Sequence, residues 1–220
     1  MLFRSIWETR VKDFEVFVND SGYEWGQKPP FEQTDDHPVV MVSWDDAKAF
    51  CDWLSKKEVL SYRLPTDEEW DAAVGKSKFP WGDQWPPPQN SDNIAGTESI
   101  LGDPEDPVSG GDGRGYHDAH PRTSPVGVYR ANDAGLFDMG GNVREWILEP
   151  FTKRLYDKFR VAGGHVMRVD ENLFAAGEER HFVRGVAWSQ LGVHNCISAF
   201  RAGQDGQKNF VGFRCVLVLP

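Results

Sequence analysis

The sequence predicts an α+β fold, a small antiparallel sheet with two or three helices and long loops. Three observations predict it. Helical periodicity with capping signals is confined to residues 9–74, and short strand-like runs separated by glycine-rich turns fill the last third of the chain. Between them, the stretch 79–123 is dominated by Gly, Pro, Asp and Asn and shows neither a helical nor an alternating period. A loop of that length inside a compact domain needs something to hold it. No Pro/Ser linker separates two cores and no internal repeat is visible, so residues 1–220 read as a single domain.

The first helix is expected from about Thr9 to Asn19, with Val11, Phe14, Phe17 and Val18 on one stripe and Asp20-Ser21-Gly22 ending it. Pro38 to Val42 is a short extended segment that delivers the chain to Ser43. Ser43 is an N-cap, Asp45 and Asp46 are acids at the positive end of the helix dipole, and Ala47, Phe50, Cys51 and Leu54 give a second amphipathic helix. A third helix opens after Tyr62-Arg63-Leu64-Pro65, where Thr66 and Glu69 form a capping box and Trp70, Ala73 and Val74 supply the apolar face. Strands are expected at Ser124 to Tyr129, Asn142 to Leu148, Phe182 to Trp188, Ile197 to Arg201 and Gly212 to Leu219.

Charge narrows the partners. The chain carries 24 Lys+Arg against 34 Asp+Glu, a net charge of −10, which repels phosphate backbones and anionic lipid, so neither nucleic acid nor membrane is the expected partner. The apolar runs fall far short of the roughly 20 residues a spanning helix needs, and the start of the chain lacks a signal-peptide core, so the expected location is cytoplasmic. Nine Trp beside 22 Gly and 14 Pro point to large flat side chains packed between loops rather than to disorder. The cysteines, Cys51, Cys196 and Cys215, make no CxxC pair and are expected as buried free thiols.

The motifs then add up. His37-Pro38-Val39-Val40, Val42-Ser43-Trp44-Asp45-Asp46-Ala47, Tyr62-Arg63-Leu64-Pro65-Thr66-Asp67-Glu68-Glu69-Trp70, Pro80-Trp81-Gly82, Pro125-Val126-Gly127, Gly135-Leu136-Phe137-Asp138-Met139, Gly141-Asn142-Val143-Arg144-Glu145-Trp146, Arg184-Gly185 and Gly212-Phe213-Arg214 follow one another along nearly the whole chain. In order and spacing this series resembles the formylglycine-generating enzyme (sulfatase-modifying factor) family. The resemblance implies a C-type-lectin-like fold. The family's usual strand before the first helix is expected to be missing, as in a short or trimmed member.

The resemblance also implies two calcium ions holding the long loop. Asn93, Ile94, Asp118 and His120 match the family's first site, with His120 acting through its carbonyl. Asp138, Gly141, Val143 and Glu145 match the second. A mixture of carboxylates and carbonyls suits Ca²⁺ better than a transition metal. The alternative leaves these residues as ordinary loop, turn and strand positions.

The family's oxidases hold Cu(I) between two cysteines spaced Cys-x4-Cys after an Arg-Gly-Gly-Ser-Trp/Tyr segment, and soft thiolates are what Cu(I) selects. Here the corresponding positions fall on Trp188 and Val193 in one alignment and on Gln190 and Asn195 in another. Neither supplies a thiolate, which argues against copper and leaves no catalytic residue to name. The six histidines, His37, His117, His120, His165, His181 and His194, are scattered and form no metal motif. What remains is a scaffold with an expected binding face for a protein or small ligand, formed by Trp188, Ser189, Gln190, Leu191, His194, Asn195, Ser198, Phe200, Gln204 and Asn209. The same location resembles the variable segment of proteins diversified by retroelements. The leading expectation is therefore a non-catalytic, calcium-stabilised ligand-binding domain. Two alternatives stay open: a divergent copper oxidoreductase using Cys196 and Cys215, and a sensor module of a larger signalling protein.

Overall fold

The computed structural model describes residues 2–3, 5–98, 115–161, 165–166, 174, 179–190 and 192–219. Strand β1 (Leu2–Phe3) precedes helix α1 (Val11–Ser21), so a short strand does stand ahead of the first helix, contrary to expectation. It is held by antiparallel pairing with the last strand, β8 (Val216–Val218), a partner no local sequence signal announces. Helix α1 starts two residues later than its periodicity suggests. Thr9 is already committed to the neighbouring backbone, donating to Phe213 O at 2.8 Å and accepting from Val39 N at 2.8 Å. Arg10 then caps the helix, its backbone N–H and its guanidinium both donating to Asp13. The helix ends as expected at Gly22, whose φ of 70° is the left-handed conformation that glycine adopts cheaply.

Helix α2 (Trp44–Glu58) begins at the expected cap: Ser43 Oγ accepts from Asp46 N at 3.1 Å, and Asp46 accepts from Ser43 N at 2.7 Å. After strand β2 (Ser61–Arg63), Thr66 and Glu69 make the same reciprocal pair at the start of helix α3 (Asp67–Val74). Phe14 and Phe17 of α1 interlock edge to face and meet Phe50 of α2 and Phe213, which gives the first core its aromatic centre.

The remaining elements are β3 (Arg144–Pro150), α4 (Lys153–Val161), β4 (His165–Val166), β5 (His181–Arg184), β6 (Phe200–Gln204) and β7 (Val211–Gly212). They build a five-stranded sheet of order β4-β6-β5-β3-β7, while β1-β8-β2 forms a second, antiparallel sheet. The five-stranded sheet is mixed rather than antiparallel. Its two outer pairs, β3 with β7 and β4 with β6, run parallel because each joins segments far apart in the chain. Helix α4 was not foreseen. Its composition is mostly polar, but Tyr156 and Phe159 pack with Phe151, Phe182, Trp70 and Met139 into a second core.

Ser124 to Tyr129 is not a strand. Gly127 turns there with φ 75° and sends its N–H to Asp138 Oδ2 at 2.7 Å, so the segment hydrogen-bonds to a side chain rather than to a sheet. Asp67 at the start of α3 is buried and receives Arg201 on both oxygens at 2.7 and 2.8 Å, with Arg184 alongside. This ion pair ties the helix to β5 and β6.

Candidate functional site

Loops 92–97, 115–124 and 138–143 are stitched together by asparagine and aspartate side chains acting as backbone partners. Asp92 accepts from Asn93 N at 3.0 Å and from Gly140 N at 2.9 Å. Asn93 donates its amide to Arg122 O and to Asn142 Oδ1, and Asn142 Oδ1 also accepts from Ser124 N. Gly141 is required here, since a Cβ would lie 2.6 Å from Asp92 Oδ1 and would also collide with Asn93 O. The loop region is thus an ordered polar core, with Asn93, Asp92, Asp118 and Asn142 all buried.

The first residue set comes together. Asp118 accepts from Ile94 N at 2.9 Å and from His120 N at 2.8 Å, which places Ile94 and His120 around one carboxylate, with Asn93 next to Ile94 in the chain. Asn93 Oδ1 is buried without a hydrogen-bond donor. Burial, followed by the negative charge of Glu98, pushes the Asp118 carboxyl up to about 7. Glu98 also pairs with His117 at 2.8 Å and reaches the same corner, where a Cβ on Gly96 would meet both Glu98 Oε1 and Tyr116 O.

The second set is only partly assembled. Asp138, in a left-handed conformation at φ 59°, and Glu145 share one acidic pocket. Glu145, however, is occupied: Arg214 holds both its oxygens at 2.7–2.9 Å and Trp70 Nε1 donates at 3.0 Å. Asp138 Oδ1 has no N–H donor and faces the carboxyl of Glu8, which is fully buried. Burial and then the charge of Asp138 hold Glu8 well above the usual carboxylate range, and burial raises Asp138 to about 6. The carbonyl of Val143 faces Gly185, whereas Gly141 packs on Asn93 and Asp92. Among the described residues, no three His, Cys, Asp or Glu side chains form a preformed metal cage. Sequence reasoning missed Glu8, Asp92 and Glu98. Glu8 is separated from Asp138 by most of the chain, and Asp92 and Glu98 lie in a stretch without periodicity.

The expected C-terminal face is corrected in part. Trp188, Ser189, Ser198 and Phe200 are buried and cannot stand on a surface. Trp188 is enclosed by the edge of Phe31 and the guanidinium of Arg122, and Phe200 is a sheet residue beneath Arg144. Gln190, Asn195, Gln204 and Asn209 are half-buried, His194 is exposed, and Leu191 lies outside the described residues. Among the described residues, none of these lines either of two well-formed cavities. The larger, of about 670 Å³, opens instead between the end of α3 and the loops carrying Trp81, Asn90, Asp92, Arg130 and Asp133.

The thiols are also kept apart in function. Cys51 and Cys215 face each other at 3.2 Å inside the first core, whereas Cys196 lies buried near Arg144 and Asp92. Burial pushes the Cys196 thiol up to about 12, away from the thiolate a metal or nucleophile requires.

Residues 5–219 match the sulfatase-modifying factor enzyme 1-like domain family. The chain belongs to this family. It is 31% identical over 189 residues to the inactive C-alpha-formylglycine-generating enzyme 2 of Bos taurus, covering 81% of the chain and 49% of that protein. It is 35% identical over 116 residues to the formylglycine-generating enzyme of Thermomonospora curvata, covering 50% of the chain and 32% of the relative. The chain therefore spans about half, or less, of the length of these relatives. Its fold is shared by PvdO of Pseudomonas aeruginosa, with a TM-score of 0.69, 21% identity and coverage of 97% of this chain and 79% of that one. Treponema denticola variable protein 1 has the fold too, with a TM-score of 0.61, 18% identity and coverage of 96% and 82%. Among the described residues, no helix is long and apolar enough to cross a membrane.

Proposed function

We propose that this domain is a non-catalytic member of the sulfatase-modifying factor family, a calcium-braced scaffold that binds a ligand. The observation that carries the reading is the separation of its thiols: Cys215 is taken up by Cys51, and Cys196 alone serves the segment where family oxidases hold copper. Two facing thiolates are what a linear Cu(I) site needs, and this chain supplies one buried, protonated thiol there. The test is a Cu(I) titration together with oxygen uptake in the presence of a cysteine peptide. Neither stoichiometric binding nor turnover is expected. Tight binding lost in Cys196→Ser, with oxygen-dependent consumption of the peptide, would overturn the reading.

Calcium is supported by buried oxygens that no N–H donor reaches. Asn93 Oδ1 in the first set and Asp138 Oδ1 in the second are the side-chain atoms a hard cation would take. Asn93, Asp118 and the carbonyls of Ile94 and His120 would hold one ion; Asp138, with the carbonyls of Gly141 and Val143, would contribute to the other. Glu145 would join it only by sharing its carboxylate with Arg214.

Ligand contact is supported by the cavity beside Asp92, whose volume lies within the roughly 300–1,000 Å³ usual for small-molecule sites and whose wall combines an aromatic ring with charges of both signs. The C-terminal segment offers a second, smaller surface at Gln190, His194 and Asn195. Diversification by a retroelement would have to act on positions such as these, of which His194 is exposed and Gln190 and Asn195 are half-buried. It requires a second, imperfect copy of the coding segment for Trp188 to Pro220 beside a reverse transcriptase gene, and absence of that copy from the genome would remove it.

A further inference from the structure

Four arginines are buried in the described structure, and three of them have carboxylate partners. Arg184 and Arg201 share Asp67 and Asp71, and Arg214 is held by Glu145. The fourth, Arg144 at the start of β3, is only 3% exposed and, among the described residues, makes no side-chain hydrogen bond or ion pair; its Nε is buried without an acceptor. Its guanidinium lies 4.9 Å from the ring centroid of Phe200, and the thiol of Cys196 is nearby. An arginine stays charged at neutral pH even in such surroundings, and a buried cation without a counter-charge is strongly disfavoured. Cation–π contact with one phenylalanine offsets only part of that penalty.

We propose that Arg144 is an anion-recognition residue and that the chain receives a small monocarboxylate there, bound bidentately by the guanidinium fork. The planar fork matches a carboxylate. One negative charge balances one guanidinium, which favours a monoanion over a dianion such as phosphate. The internal alternative, a Cys196 thiolate as counter-ion, is opposed by the burial that keeps this thiol protonated. As a protonated group, Cys196 adds a weak S–H donor to the site. The proposal does not depend on the cation sites or on the cavity beside Asp92.

The test is thermal unfolding at fixed calcium and ionic strength, with sodium acetate or formate exchanged for sodium chloride, and in a separate arm for sodium phosphate. For the wild-type chain, Tm should rise with carboxylate concentration and continue to rise with each tenfold increase above the dissociation constant. Arg144→Met should lose that response, and because an apolar chain of similar length replaces an unpaired charge, it should be at least as stable as the wild type in chloride. Arg144→Lys, which keeps the charge but not the fork, should respond at least tenfold more weakly. Equal Tm in acetate and chloride for the wild type, a response retained in Arg144→Met, or a larger response to phosphate would overturn the proposal. So would a thiolate absorbance near neutral pH that disappears in Cys196→Ser, because it would identify the counter-ion as internal. The wild-type comparison stands even if a variant fails to fold.

Discussion

Val59 closes helix α2 at φ 56° with its side chain 89% exposed, so a β-branched residue occupies the left-handed conformation without packing in return. That conformation costs an L-residue about 1–2 kcal/mol, and glycine gives back roughly 0.5–1 kcal/mol of it in unfolded-state entropy. Val59→Gly is expected to raise stability by about 0.5–1 kcal/mol, measured by urea unfolding with an unchanged m-value. Asp118 sets a pH dependence of the opposite kind. Its folded carboxyl titrates at about 7 against an ordinary 3.8, so between these values the folded state holds the proton more tightly than the unfolded chain. Without calcium, this group's contribution to stability therefore falls as pH rises from about 4 to 7. A bound cation should remove the penalty, so the gain in Tm from calcium should be larger at pH 8 than at pH 6. A gain that does not grow with pH would exclude Asp118 as a ligand. Asp118 was legible as a candidate in the sequence, but its raised proton affinity was not, because burial and the approach of Glu98 are tertiary facts.

The helices show which local signals are sufficient. Ser43 with Asp46 and Thr66 with Glu69 cap α2 and α3 where the sequence places them, because a capping box satisfies orphan backbone groups within four residues and needs no distant partner. Helix α4 escaped prediction because its buried residues, Tyr156 and Phe159, make a narrow stripe that has meaning only against Phe151 and Phe182. Asp67 shows the same division. The sequence marks it as a first-turn acid, while the structure makes it the buried partner of two arginines that join α3 to the sheet. Asp67→Ala should cost about 3–5 kcal/mol, as expected when one partner leaves a buried ion pair, and chemical denaturation would read it directly. A loss below 1 kcal/mol would mean that Asp71, which is half-exposed, suffices to neutralise both arginines.

For the molecule as a whole, the described parts of the central loop, 79–98 and 115–123, are held by polar side chains rather than by secondary structure. Asn93 and Asn142 bridge three loop segments, and Asp118 and Asp138 bring buried negative charge to them. If calcium completes this polar core, a chelator should lower Tm and should selectively accelerate amide exchange in 92–97, 118–124 and 138–145 while α1 and α2 stay protected. Uniform acceleration, or no change, would count against the brace. By itself the sequence determined the family, the capped starts of α2 and α3 and the lack of a copper thiolate pair, because each is written in local spacing or in the presence of a residue type. Only the tertiary structure decided the mixed strand order, the burial of four residues of the expected binding face, the capture of Glu145 by Arg214 and the isolation of Arg144. These depend on which distant segments meet in the interior, where an unpaired charge or oxygen is costly, and no local pattern records that meeting.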